Sequence, residues 1–217
     1  MSKPIVSYMY PAQICCVEQE IKRSRFIATA ARASDKKEAL AVIAAVRQQY
    51  PDARHHCWAY VAGSPETVAL GMSDDGEPQG TAGKPMLNVL KHKKIGEIVV
   101  VISRYFGGIK LGAGGLVRAY ASSVQLVINA LPLQQYIPMQ KLKLSFPYAF
   151  ESTARHLFLP FKVNVLDVSY SHQVEMCIEL QIGDVNTLSQ HLIDQSKGRI
   201  QITELDDRYP RQNNRIG

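Results

Sequence analysis

The chain has 217 residues, 46% hydrophobic and 20% charged, which suits one large or two small folded domains and excludes a disordered, collagen-like or coiled-coil chain. Its formal charge of +6 is unevenly placed, because residues 1–140 carry 16 Lys and Arg against 10 Asp and Glu, whereas residues 141–217 carry 9 of each. No apolar run approaches the roughly 20 residues of a membrane helix. No basic-then-apolar leader opens the chain, and its four cysteines lack CxxC spacing; the expectation is a soluble, cytoplasmic protein with reduced thiols and no membrane contact.

After a short lead-in, residues 14–20 and 25–33 read as two strands joined across the polar turn Lys22-Arg23-Ser24. Residues 35–49 carry Leu40, Ile43, Ala44 and Val46 at helical spacing, with Ser34 placed to cap the start and Pro51 beyond the end. Residues 56–62 and 68–72 form a strand pair across a Gly-Ser-Pro turn, followed by a polar, glycine-rich stretch to Gly83. A helix is expected from Lys84-Pro85 to the basic residues Lys91–Lys94, whose charge complements the helix dipole. Residues 97–106 hold an Ile-Val-Val-Val-Ile run, the mark of a central strand covered on both faces. A second glycine loop, 107–115, then feeds a helix over 116–131.

Pro132 and Pro138 bracket an expected linker. Beyond it the order becomes strand (140–146), helix (148–159), hairpin (162–169 and 173–182), helix (185–195) and strand (199–204), the βαββαβ pattern of ferredoxin-like domains. The expected architecture is α+β with an N-terminal domain over 1–134, a ferredoxin-like domain over 138–205 and a flexible tail over 206–217.

Eleven of the fourteen glycines lie between Gly63 and Gly115, so they mark specific loops rather than general flexibility. Neither loop is a known nucleotide fingerprint. Pro78 and Pro85 occupy the first-glycine and Ser/Thr positions of a P-loop, and Val117 occupies the third glycine of a dinucleotide motif. A glycine loop entering a helix nevertheless exposes unpaired N–H groups and the positive end of the dipole, which suits a phosphate oxygen. Lys84, Lys110, Arg104 and Arg118 lie in or beside the two loops. These four side chains, with Gly83, Gly108, Gly112, Gly114 and Gly115, are the candidate phosphate-binding residues; the alternative is that the glycines serve only tight turns and close packing.

A possible polar site comprises His55, His56, Asp74, Asp75, Glu77 and Thr81. The three acids could hold magnesium through oxygen ligands, or form a solvated turn whose Asp side chains bond nearby backbone N–H groups; the absence of EF-hand spacing favours the turn. Alternation along a strand puts His55 and Cys57 on one face and His56 on the other, and no third group completes a Cys–His catalytic set. Adjacent histidines and one cysteine cannot converge on zinc. No catalytic residue, metal or cofactor is therefore expected. The strand over 173–180 lacks the aromatic residues of an RNA-stacking sheet, so the C-terminal domain reads as a docking module.

Three stretches in order carry a family resemblance: residues 51–60 (Pro-Asp-Ala-Arg-His-His-Cys-Trp-Ala-Tyr), 73–87 (Ser-Asp-Asp-Gly-Glu-Pro-Gln-Gly-Thr-Ala-Gly-Lys-Pro-Met-Leu) and 104–120 (Arg-Tyr-Phe-Gly-Gly-Ile-Lys-Leu-Gly-Ala-Gly-Gly-Leu-Val-Arg-Ala-Tyr). They resemble the IMPACT family, and the whole chain is similar to its bacterial YigZ branch. The resemblance implies an N-terminal domain similar to domain IV of elongation factor G and a ferredoxin-like domain similar to domain V of that factor. Eukaryotic IMPACT proteins regulate translation under amino-acid starvation through a kinase pathway that bacteria lack. The combined expectation is a nucleic-acid-binding or ribosome-associated protein that modulates translation, with RNA or the ribosome as partner. Two alternatives are a metal-assisted enzyme on a small anionic substrate and a protein-interaction module. A two-metal peptidase finds no suitable set of His, Asp and Glu in the sequence.

Overall fold

The computed structural model describes residues 7–65 and 69–205; the expected tail at 206–217 lies outside them. The described chain is α+β and falls into two compact units, 7–136 and 137–205. The first contains β1 (Tyr8–Pro11), β2 (Cys15–Ile21), β3 (Ser24–Arg32), α1 (Lys36–Gln49), β4 (His55–Ala62), β5 (Ala69–Ser73), α2 (Gly83–Lys93), β6 (Ile98–Tyr105), α3 (Ala113–Ala130) and β7 (Leu133–Tyr136). Five of these strands form a sheet in the order β2-β3-β6-β4-β5, each pair antiparallel.

The apolar run of β6 explains its central place. Ile98, Val100 and Ile102 point to one face, where they pack with Met86 and Leu90 of α2 and with Leu116, Tyr120 and Val124 of α3. Val99 and Val101 point to the other face and meet Ile43 and Val46 of α1. Each such side chain, fully withdrawn from water, contributes about 1.5–3 kcal/mol. The sheet is therefore held between α1 and the α2–α3 pair, and the loops after β5 and β6 both open at the starts of those paired helices.

Four local readings change. The lead-in contains β1, which pairs antiparallel with β7 inside the expected linker, and the rings of Tyr8 and Tyr136 stack at 4.8 Å. Two four-residue strands so far apart in sequence leave too short an alternation to read. The cap of α1 is Asp35 rather than Ser34: its Oδ1 accepts from Glu38 N at 2.8 Å, while the Glu38 carboxylate turns back to Ser34 N and Oγ. α2 begins at Gly83, with Pro85 still inside the first turn. α3 begins at Ala113, so Gly114 and Gly115 belong to its first turn and not to the loop.

The second unit contains β8 (Met139–Phe146), α4 (Glu151–Phe158), β9 (Asn164–Tyr170), β10 (Val174–Gln181), α5 (Val185–Ser196) and β11 (Gln201–Leu205). Its antiparallel sheet runs β11-β8-β10-β9, the ferredoxin-like order. Leu142, Leu144, Met176 and Ile178 bury one sheet face against Phe158, Leu188 and Leu192 of the helices. Among the described residues no helix is long and apolar enough to cross a membrane.

Candidate functional site

The two glycine loops end in chemically different ways. Asp74, just past β5, turns its carboxylate onto the start of α2: Oδ1 accepts from Ala82 N at 3.0 Å and Gly83 N at 2.9 Å, and Oδ2 accepts from Gly80 N at 2.8 Å. Burial opposes ionisation, but hydrogen bonds from these three backbone N–H groups outweigh it and hold the carboxyl below its ordinary range. Close packing requires glycine at position 83, where a Cβ would lie 2.9 Å from Ser73 N. The Gly83 N–H, expected to face a bound phosphate, is thus engaged by a carboxylate of the chain itself.

The other two acids go elsewhere. Asp75 pairs with Arg47 at 2.6 Å and accepts from His56 N at 2.7 Å. Its carbonyl accepts from His55 Nδ1 at 2.8 Å, which places the ring proton on that nitrogen. Glu77 is buried, and its Oε1 accepts both from Arg104 Nη1 at 2.6 Å and from the Tyr120 hydroxyl at 2.7 Å. The three carboxylates therefore diverge. Among the described residues no group of three or more His, Cys, Asp or Glu is placed to hold a metal ion. Thr81 is buried and donates its hydroxyl to the Pro78 carbonyl at 2.6 Å.

Cys57 lies in the core on the α2–α3 side of β4, its thiol donating to the Asp74 carbonyl at 2.9 Å and lying 3.3 Å from the Tyr120 hydroxyl. Burial pushes this thiol up to about 12, so it stays protonated and is a poor nucleophile. His56 projects to the opposite face, where Nδ1 meets Ser103 Oγ at 2.9 Å. Burial holds the His56 imidazole below its ordinary value, hence neutral at pH 7.

At the second loop the helix start has no carboxylate. Gly112 is the N-cap of α3 with φ of 72°, a conformation suited to glycine, and no side chain caps the helix. The first turn's Ala113, Gly114 and Gly115 offer their N–H groups ahead of the first helical bond, Leu116 N to Gly112 O. Gly112 and Ala113 at this helix start line a cleft of about 390 Å³ whose walls also include Arg54, His55, Arg104, Phe106 and Lys110. Arg104 is only 6% exposed, with its guanidinium 5.3 Å from the Phe26 ring centre and 5.8 Å from that of Phe106. Its Nε is buried with no hydrogen-bond partner among the described residues.

Of the expected residues, His55, Glu77, Arg104, Lys110 and Gly112 line this one cleft. Gly114 and Gly115 follow in the first turn of α3, and Gly108, with φ of 86°, lies in the loop before it. Arg118 is exposed one turn further along α3, and its Nη1 lies 3.8 Å from where a Gly114 Cβ would be. Lys84 is exposed on α2 but does not line the cleft; neither do His56, Asp74, Asp75 and Thr81. Sequence reasoning missed Arg54 and Phe106 as walls of the cleft, and Tyr120 as a buried hydrogen-bond partner of Glu77. A signal existed for Arg54 and Phe106, which flank strand ends: His55 of β4 pairs with Arg104 of β6 in the sheet register, so residues bordering both positions meet at one edge.

The comparisons with known proteins agree across the chain. Residues 22–128 match the model of the Impact N-terminal domain, and residues 144–199 match a domain of unknown function (DUF1949). The chain is 39% identical over 202 residues to the IMPACT family member YigZ of Escherichia coli, covering 93% of this chain and 99% of that one. It is 37% identical over 203 residues to an IMPACT family member of Haemophilus influenzae, covering 93% and 98%. A crystal structure described as that of a hypothetical protein is 38% identical, with a TM-score of 0.65 over 94% of this chain and 100% of that one.

Proposed function

The chain belongs to the IMPACT family, and from that premise we propose that it binds RNA in a translation-related role, through phosphate contacts in the cleft at the start of α3. One observation carries this reading: of two glycine-loop helix starts in the same unit, Asp74 fills one and the other faces a cation-lined cleft. The α3 amides and dipole suit a phosphate oxygen, while Arg54 and Lys110 supply exposed charge and Arg118 extends it along the helix. Arg104, held by Glu77, lines the same cleft. The net positive charge of residues 1–140 adds long-range attraction for a polyanion.

The metal-assisted alternative finds less support in this geometry. Its three acids are each committed to a different partner, and the only one lining the cleft, Glu77, is neutralised by Arg104. The test is anisotropy titration of the full chain with labelled single-stranded RNA over a range of salt concentrations. Affinity should fall as salt rises, with log K against log salt changing by about 0.7 per phosphate contact. Arg54→Glu combined with Lys110→Glu should weaken binding at least about ten-fold and flatten that slope, whereas Lys84→Glu should do much less. Salt-independent affinity, or an unchanged affinity in the double variant, would sink the proposal.

A further inference from the structure

We infer that the cleft seats one unpaired nucleotide, its phosphate on the N-terminus of α3 and its base against Phe106, so that the protein selects single strands over duplex. This rests on the reading of the cleft as an RNA site. Phe106 follows the end of β6, forms a wall of the cleft and remains 43% exposed. An exposed aromatic beside a phosphate seat is the arrangement used to stack a base without reading its edges. The Arg104 guanidinium lies near the same ring, and Arg104 lines the same cleft.

Size points the same way, since about 390 Å³ is near the lower end of small-molecule sites. In a duplex the bases are stacked and paired, so Phe106 could not reach a base face while the phosphate sat at α3.

The test compares the intact protein's affinity for a labelled single-stranded RNA of ~12 nucleotides with that for a hairpin duplex of similar composition. The wild type should prefer the single strand. Phe106→Ala should lower single-strand affinity about ten-fold while leaving duplex affinity and salt slope unchanged, and Phe106→Trp should restore it. If Phe106→Ala leaves single-strand binding intact, or weakens both ligands equally, the inference falls; the RNA reading still stands if Arg54→Glu with Lys110→Glu weakens binding. If the wild type binds neither RNA, both fall together.

Discussion

Arg104 shows how one residue can serve the core and the site at once. Its Nη1 and the Tyr120 hydroxyl converge on the same oxygen of Glu77, and both members of the ion pair are more than nine-tenths buried. Burial, followed by the neighbouring Cys57 and Glu77, pushes the Tyr120 phenol upward, so it remains a donor to Glu77. Removing one charge from a buried pair leaves the other without compensation, a loss of about 3–5 kcal/mol, whereas removing one neutral donor costs about 1 kcal/mol. Glu77→Gln should therefore destabilise far more than Tyr120→Phe, even though both changes touch one hydrogen-bond centre. Urea unfolding followed by tryptophan fluorescence of Trp58 measures both. Similar losses for the two variants would show that Arg104 finds another anion or reaches water.

At the scale of elements, the hairpin between β2 and β3 places two consecutive non-glycine residues in the left-handed region. Lys22 and Arg23 both have positive φ, 48° and 63°, the pattern of a two-residue type I′ turn that favours Asn-Gly. A side chain at such a position carries strain of about 1 kcal/mol, so Lys22→Asn with Arg23→Gly should stabilise the protein by roughly that amount. The rise in melting temperature should be a few degrees, and calorimetry that showed a fall would refute the turn assignment. Elements of this kind were legible in advance where pattern and length coincide: the β6 run, the α1 periodicity and the C-terminal alternation all announce themselves. The β1–β7 pair was not, because neither strand is long enough to alternate and each needs the other to exist. The Asp-Asp-Gly-Glu segment was legible only as a turn rich in backbone hydrogen bonds. Its donors sit up to nine residues downstream, at Gly80, Ala82 and Gly83, and only the folded loop shows that Asp74 occupies the very place offered to a phosphate. The cleft was half legible, because glycine and lysine identify a helix start but do not say which residues of β4 and β6 line up beside it.

For the whole molecule, charge, core and cleft divide along the same line. The clusters around β6 belong entirely to residues before 137, and the cluster of Leu142, Met176 and Leu188 belongs entirely to residues after it. Residues 1–136 also hold the full excess of positive charge and every wall of the cleft. A fragment of residues 1–136 should consequently fold by itself and keep single-stranded RNA affinity within about two-fold, with the salt slope of the full chain. The position of the cut matters. Ending the fragment at Leu131 removes β7, and with it the four-residue pairing of β1 and the stacked Tyr8–Tyr136 rings, a combined loss of about 2 kcal/mol. The shorter fragment should melt lower than the longer one while still binding RNA below its transition, since neither β1 nor β7 lines the cleft. Thermal unfolding of both fragments, followed by titration at a temperature where each is folded, decides the matter. Equal melting temperatures would mean that the strand pair adds nothing to this unit, and loss of RNA binding by the longer fragment would mean that the second unit takes part in binding.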